Sequence, residues 1–205
     1  LNTGTITYGI SVGTGLIQAS VSRSNESLLV CDIGSDKLNA GKAGSLTTRT
    51  DNDTGVVTAG AGHGIATSDK VDVHWAIDGV RYVRRGMTAT VDGNNITVDA
   101  GAGSNLPAQD TAVVVAKQAV ATETFDGDDL DMFMVKATKP ASLDFVDAGG
   151  VSVGAILLNE GEPFVWVSNQ GPARPITGNA VASIKITPGT TEATDVVIRG
   201  VRSSI

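Results

Sequence analysis

The stretch GAGHGIATSDKVDVHW, residues 60–75, holds both histidines of the chain, His63 and His74, with Asp69, Lys70 and Asp72 beside them. It reads either as a metal or catalytic centre or as the entry into a small β-barrel. Its second half alternates strictly. Val71, Val73 and Trp75 fall on one face, with Ile77 beyond, and Asp72 and His74 fall on the other. A period of two is the signature of a strand with one face in a core and one face polar. His63 sits between Gly62 and Gly64 in a tight turn that points Ile65 inward and lets the imidazole bond loop backbone. Ser68 and Asp69 make an Asx/ST-type turn ahead of the strand. A zinc site needs three or four converging ligands, and two histidines eleven residues apart do not supply them. Nor does His63 or His74 near Ser68 or Asp69 in sequence amount to a nucleophile and its base. The stretch is therefore read as barrel scaffolding, with no catalytic, cofactor-binding or metal-binding residue assigned.

Working outward, the same texture continues. From Leu46, the segments SLTTRT, GVVTA, KVDVHWA, VRYVRRGMTATV, NNITVDA and TAVVVAK are short strands separated by turn signals. Asp78-Gly79 and Asp92-Gly93 mark hairpin turns. Several short strands in one compact run suggest a small barrel or sandwich. Upstream, residues 4–10, 16–22 and 27–33 read as strands, and SDKLNAGKAGS (35–45) as a polar connector. Downstream, DMFMVKA, SLDFVDA, VSVGAILL, PFVWVSN, AVASIKIT and TDVVIRGV read as strands again. No segment keeps helical periodicity over three turns. The expected fold is all-β, a small β-barrel-like module plus a β-sandwich, with almost no helix. Residues 1–45 form N-terminal strands, an arm and a linker. Residues 46–117 form the barrel-like module, and 118–205 the sandwich, which strands from 1–33 would complete. The core is expected at Val71, Val73, Trp75, Ile96, Val98, Val113, Val115, Phe164, Trp166, Ile184, Ile186 and Val197.

Composition narrows the function. The 205 residues carry 22 acids against 15 bases, a net charge of −7, which disfavours nucleic acid as a partner. No run of apolar residues is long enough to span a bilayer as a helix. No basic and apolar leader opens the sequence at Leu1, so no signal peptide is expected in it. The one cysteine, Cys31, permits no intrachain disulfide and lies among apolar residues as a buried, inert thiol.

Other candidates are weaker. In FDGDDLDMF (125–133), Asp126, Asp128, Asp129 and Asp131 offer oxygen ligands, but the EF-hand glutamate position is Ala137. DNDTG (51–55) has the same weakness, and both read as solvated acidic turns. Arg81, Arg84 and Arg85 form a basic hairpin that would suit an acidic partner surface, though a solvated face or an internal ion-pair donor is the plainer reading. GAGSNLP (101–107) is glycine-rich but lacks the strand–helix setting of a phosphate loop.

GVVTAGAGHGIATSDKVDVHW, followed by DGVRYVRRGMTATVDGNNITVDAGAGSNLP, resembles a module of tailed-phage virion proteins over about residues 46–117. NQGPARPITGNAVASIKIT resembles phage capsid-associated proteins more faintly. The resemblance implies a virion structural protein, of the capsid decoration or cement type, with no catalytic residue or cofactor. It implies the major capsid protein and copies of itself as partners, with no nucleic acid and no membrane. A homo-oligomer, most naturally a trimer at local three-folds, would sit on the capsid surface after synthesis in the host cytoplasm. The alternatives are a fibre or surface adhesin binding a glycan or receptor, and a carbohydrate-active enzyme. Two Trp and two Tyr leave few aromatics for sugars, and no opposed pair of carboxylates stands out for glycoside hydrolysis. LNTGTITYGISVGTG (1–15) is expected to act as the assembly arm, pairing with a neighbouring strand.

Overall fold

The computed structural model describes residues 3–12, 15–24, 27–38, 40–120, 130–167 and 183–204, with side chains for 40–118, 133–165 and 183–198. The described elements are all strands, and none is a helix. In chain order they are β1 (Thr3–Val12), β2 (Gly15–Ser24), β3 (Ser27–Leu38), β4 (Lys42–Arg49), β5 (Thr54–Ala59) and β6 (Lys70–Ile77). Next come β7 (Val80–Thr88), β8 (Thr90–Asp92), β9 (Asn95–Asp99), β10 (Ala112–Lys117), β11 (Ala119–Val120) and β12 (Leu130–Ala137). The last are β13 (Ala141–Val146), β14 (Ser152–Leu158), β15 (Pro163–Val167), β16 (Ser183–Pro188) and β17 (Thr194–Ser204).

Seven strands form one antiparallel sheet in the order β7-β6-β10-β4-β5-β9-β8. Leu46, Val57, Val71, Trp75, Met87, Ile96 and Val115 come from six of those strands and meet in a single buried cluster. Only a sheet curled around its own interior brings them together, so this unit is barrel-like. The hairpin between β6 and β7 turns on Asp78 and Gly79, with φ 51° and 80°, and Ile77 pairs Val80 across it. Two consecutive positive φ values define the type I′ turn whose twist suits flanking strands.

Two four-stranded sheets, β11-β16-β13-β14 and β15-β12-β17-β3, enclose the second core. Phe133 of β12 meets Phe145 of β13 edge to face, with ring centroids 5.4 Å apart and planes at 69°. Leu143, Ile184, Ile186, Val196 and Ile198 close around them. This is sheet-on-sheet packing, with alternate residues turned inward. β3 pairs β17 from Thr194↔Leu38 to Ser204↔Ser27.

Ten of the twelve expected core positions are confirmed as buried or packed against a core. Val71, Val73, Trp75, Ile96, Val98, Val113, Val115, Ile184 and Ile186 are buried, and Phe164 is partly buried against the second core. Two details differ from the sequence reading. Val197 is half-buried, because Thr194, Val196 and Ile198 hold the inward phase of β17. The connector read over 35–45 is shorter, since β3 runs on to Leu38 and β4 begins at Lys42. The side chains of Trp166 and Cys31 lie outside the described residues.

Candidate functional site

The glycine turn around His63 is built as its sequence suggests. Gly62 and Gly64 have φ 70° and 71°, a region closed to most side-chain-bearing residues. His63 Nδ1 accepts the Ile65 N–H at 3.1 Å, and Nε2 lies 3.0 Å from the Gly93 carbonyl. Ile65 is buried. The Asp69 carboxylate reaches back to accept the Ala66 N–H at 2.8 Å and meets Lys117 Nζ at 2.8 Å. Both partners hold its pKa below the usual carboxylate value, Lys117 most strongly.

His74 and Asp72 depart from the sequence reading. At these two positions their face of β6 is closed to solvent: Asp72 is 1% and His74 4% exposed. It packs against the sandwich, whose β16 supplies Thr187. The Thr187 hydroxyl donates to Asp72 Oδ2 at 2.6 Å. Asp72 Oδ1 accepts the Gly86 N–H at 2.9 Å and Gln118 Nε2 at 2.8 Å. Because Thr187 gives its proton to Asp72, His74 Nε2, 3.1 Å from the same hydroxyl, is the donor to it. The imidazole is therefore the neutral Nε2–H tautomer. Burial, then the nearby charges of Arg81 and Arg85, pull its pKa down to about 3. Burial raises the pKa of Asp72, against three hydrogen bonds that favour its charged form.

The order of protons decides what this Asp–Thr–His chain can do. An activated hydroxyl nucleophile gives its proton to the base nitrogen of a histidine. Here the histidine donates to the hydroxyl, and Thr187 has no exposed surface. The geometry suits a structural lock between the two units. Arg85 adds to it from β7, donating Nε to Ser142 Oγ at 2.6 Å. Asp144 takes the Ser152 hydroxyl at 2.5 Å, and burial raises its pKa while Arg85 opposes that rise. Arg81 donates Nη1 to the Leu158 carbonyl at 2.8 Å. Arg84 points the other way, 5.6 Å over the Trp75 ring, and donates Nε to the Asn105 carbonyl at 2.9 Å. The basic hairpin is thus spent on internal acceptors. Thr187 and Ser142 carry no sequence signal; each is one hydroxyl in an ordinary strand.

The remaining candidates are placed as follows. Asp51 Oδ1 accepts the N–H groups of Asp53 and Thr54 at 3.0 and 2.6 Å, an Asx turn. Among the described residues no group of three or more His, Cys, Asp or Glu is disposed to hold a metal ion. The side chains of Asp126, Asp128, Asp129 and Asp131 lie outside the described residues. The Gly101 N–H at the start of 101–107 is taken by Asp99 at 2.8 Å.

The other surface of interest is backbone. β1 and β2 pair along their whole length, from Thr3↔Ser24 to Val12↔Gly15, as a sheet of two strands. No other described strand joins that sheet. Within the segment singled out as an arm, 1–15, Thr3–Val12 therefore pair antiparallel with Gly15–Ser24 of the same chain. The tip of the β6–β7 hairpin also shows apolar side chains to solvent, at Ile77, Val80 and Tyr82.

No protein-family model matches the chain, and no curated protein matches it. Two solved viral structures align weakly. VP17, a capsid protein of bacteriophage P23-77, aligns over 100% of both chains at 10% identity with a TM-score of 0.21. A chain from the infectious bursal disease virus Gx strain structure aligns at 10% identity over 98% of this chain and 71% of its own, with a TM-score of 0.18. Superpositions this loose do not establish a shared fold.

Proposed function

We propose that the chain is a non-enzymatic virion structural protein, a capsid decoration protein that binds the shell and copies of itself. The observation that carries this reading is the β1–β2 ribbon. An isolated two-stranded hairpin is marginally stable in water. This one offers two ten-residue strands whose outer edges pair with no described strand. Over residues 3–24 a single charged residue, Arg23, interrupts it. Edge strands that are meant to stay unpaired usually carry charges, prolines or bulges. A ribbon with one charge over 3–24 is suited to strand addition with another subunit. The resemblance of residues 46–117 to tailed-phage virion modules supports the same role.

The internal use of Asp72, His74, Arg81 and Arg85 fits a protein whose polar side chains serve cohesion. It leaves the adhesin reading little, since Trp75 is buried under Tyr82 and Arg84. Quantitative mass spectrometry of purified particles containing this chain tests the proposal. A copy number comparable with the shell protein supports decoration. A handful of copies per particle, or loss of the chain on purification, sinks it.

A further inference from the structure

The register of the β1–β2 ribbon sorts its residues onto two unlike faces. Residues opposite one another in paired strands share a face, and successive residues alternate between faces. Thr5↔Ser22, Thr7↔Ser20 and Gly9↔Gln18 therefore fall on one face, and Ile6↔Val21, Tyr8↔Ala19 and Ile10↔Ile17 on the other. Val12, opposite Gly15, carries the apolar face to the turn end, and Arg23, opposite Gly4, marks its far end. Leu16, opposite Ser11, is the one large apolar residue on the hydroxyl-rich face. Alternation this clean belongs to a sheet with one side in a core, yet no other described strand joins this sheet.

A two-stranded ribbon is a single layer and cannot bury such a face by itself. What covers it must be apolar along two ten-residue strands. The same face of a second copy meets that need. Residues 3–24 contain no Asp or Glu, in a chain whose net charge is −7. Two chains of like charge meet at least cost where neither presents a carboxylate. Laid antiparallel, each ribbon sets its Arg23 end against the turn end of the other, so the two cations stay apart. Two stacked ribbons make four strands in two layers, the packing that a lone hairpin lacks. We propose that the apolar face of the ribbon stacks on the same face of a second copy about a two-fold axis, with Tyr8 and Ala19 at the centre of the contact. The inference rests on the ribbon as the assembly element; strand addition uses its edges, and stacking gives its face a partner.

Substitutions on opposite faces test this, by light scattering of the full chain across a concentration series. Tyr8→Lys and Thr7→Lys put the same charge in the same strand, at adjacent positions. Strand addition at the edges would feel them alike. Stacking would not: Tyr8→Lys should weaken dimerisation at least about ten-fold, and Thr7→Lys should change it by less than about two-fold. Tyr8→Ala and Thr7→Ala repeat the comparison in case Tyr8→Lys does not fold. Equal effects at positions 7 and 8, with dimerisation still lost on deletion of residues 1–24, overturn the stacking and leave the ribbon as the assembly element. A full chain that stays monomeric, or a mass unchanged by that deletion, overturns the assembly reading and the stacking together. Loss of β-type circular dichroism in both Tyr8 variants but in neither Thr7 variant also overturns the stacking, because the face would then be covered by its own chain.

Discussion

Thr187 donates its hydroxyl proton to Asp72 at 2.6 Å, across 115 residues of chain. The bond joins the barrel-like unit to the sandwich and fixes the proton order of the whole junction. Thr187→Val keeps the shape and removes the hydroxyl. It strands a buried carboxylate oxygen and the His74 Nε2–H together. The expected loss is about 2–3 kcal/mol of unfolding free energy, the cost of unmet buried polar groups. Thr187→Ser, which keeps the hydroxyl, should lose about 1 kcal/mol or less. Urea titration of the two variants checks the contrast, and equal losses would mean that the hydroxyl is not what matters.

The histidines should separate cleanly. His63 is a half-exposed turn residue bonded to backbone, and His63→Ala should cost about 1 kcal/mol or less. His74 is buried and bonded to Thr187. His74→Ala should cost about 2–4 kcal/mol through the cavity and the lost partner. Thermal melts of both variants, read with zinc content by mass spectrometry, test this. Stoichiometric zinc lost in either variant would contradict the structural role.

The junction should also make stability depend on pH. The folded pKa of His74 lies near 3, below its ordinary 6.5. The unfolded chain therefore binds this proton first, and stability falls as pH drops from about 6.5 toward 3. The slope for one such proton is at most about 1.4 kcal/mol per pH unit. Asp72 and Asp144 act oppositely, because their folded pKa values are raised. Their stabilisation is fully present below the unfolded value of 3.8 and is lost as pH rises through the folded values. Chemical denaturation between pH 6.5 and 5 should show stability falling less with acidification in His74→Gln than in the wild type, the aspartates being common to both; parallel slopes would exclude His74 as the source.

Close approach of strands gives another test. A Cβ at Gly55 would lie 2.7 Å from the Thr48 carbonyl and 2.9 Å from Leu46 Cδ1. Gly55→Ala forces β4 and β5 apart at a point where Leu46 is fully buried. Overpacking of this kind costs about 1–3 kcal/mol. A variant as stable as the wild type in urea would show that the sheet gives freely there.

Half of this molecule could be read from alternation. Val71, Val73 and Trp75 announce the inner face of β6, and Asp78-Gly79 announces its hairpin, because both signals are local. The other face of β6 misled for a physical reason. Asp72 and His74 look solvent-facing when their partner is unknown, and Thr187 lies more than a hundred residues downstream without any pattern of its own. β17 failed in phase only. Its run Val196-Val197-Ile198 offers two alternations, and Thr194, a polar residue buried at 0% exposure, decides between them. The N-terminal ribbon was half legible: the strand pattern was visible, but pairing of Thr3–Val12 with Gly15–Ser24 shifts the unit from an arm to a hairpin.

That hairpin is where the proposed assembly role is most exposed to test. The measurement is the mass of the full chain against a chain lacking residues 1–24, by size-exclusion chromatography with light scattering. Deleting both legs leaves β3 and its pairing with β17 in place, so the truncated chain should keep its β-type circular dichroism. The account predicts an oligomer for the full chain and a folded monomer for the truncated one. The same assembled mass for both, or a full chain that is itself monomeric, would contradict it.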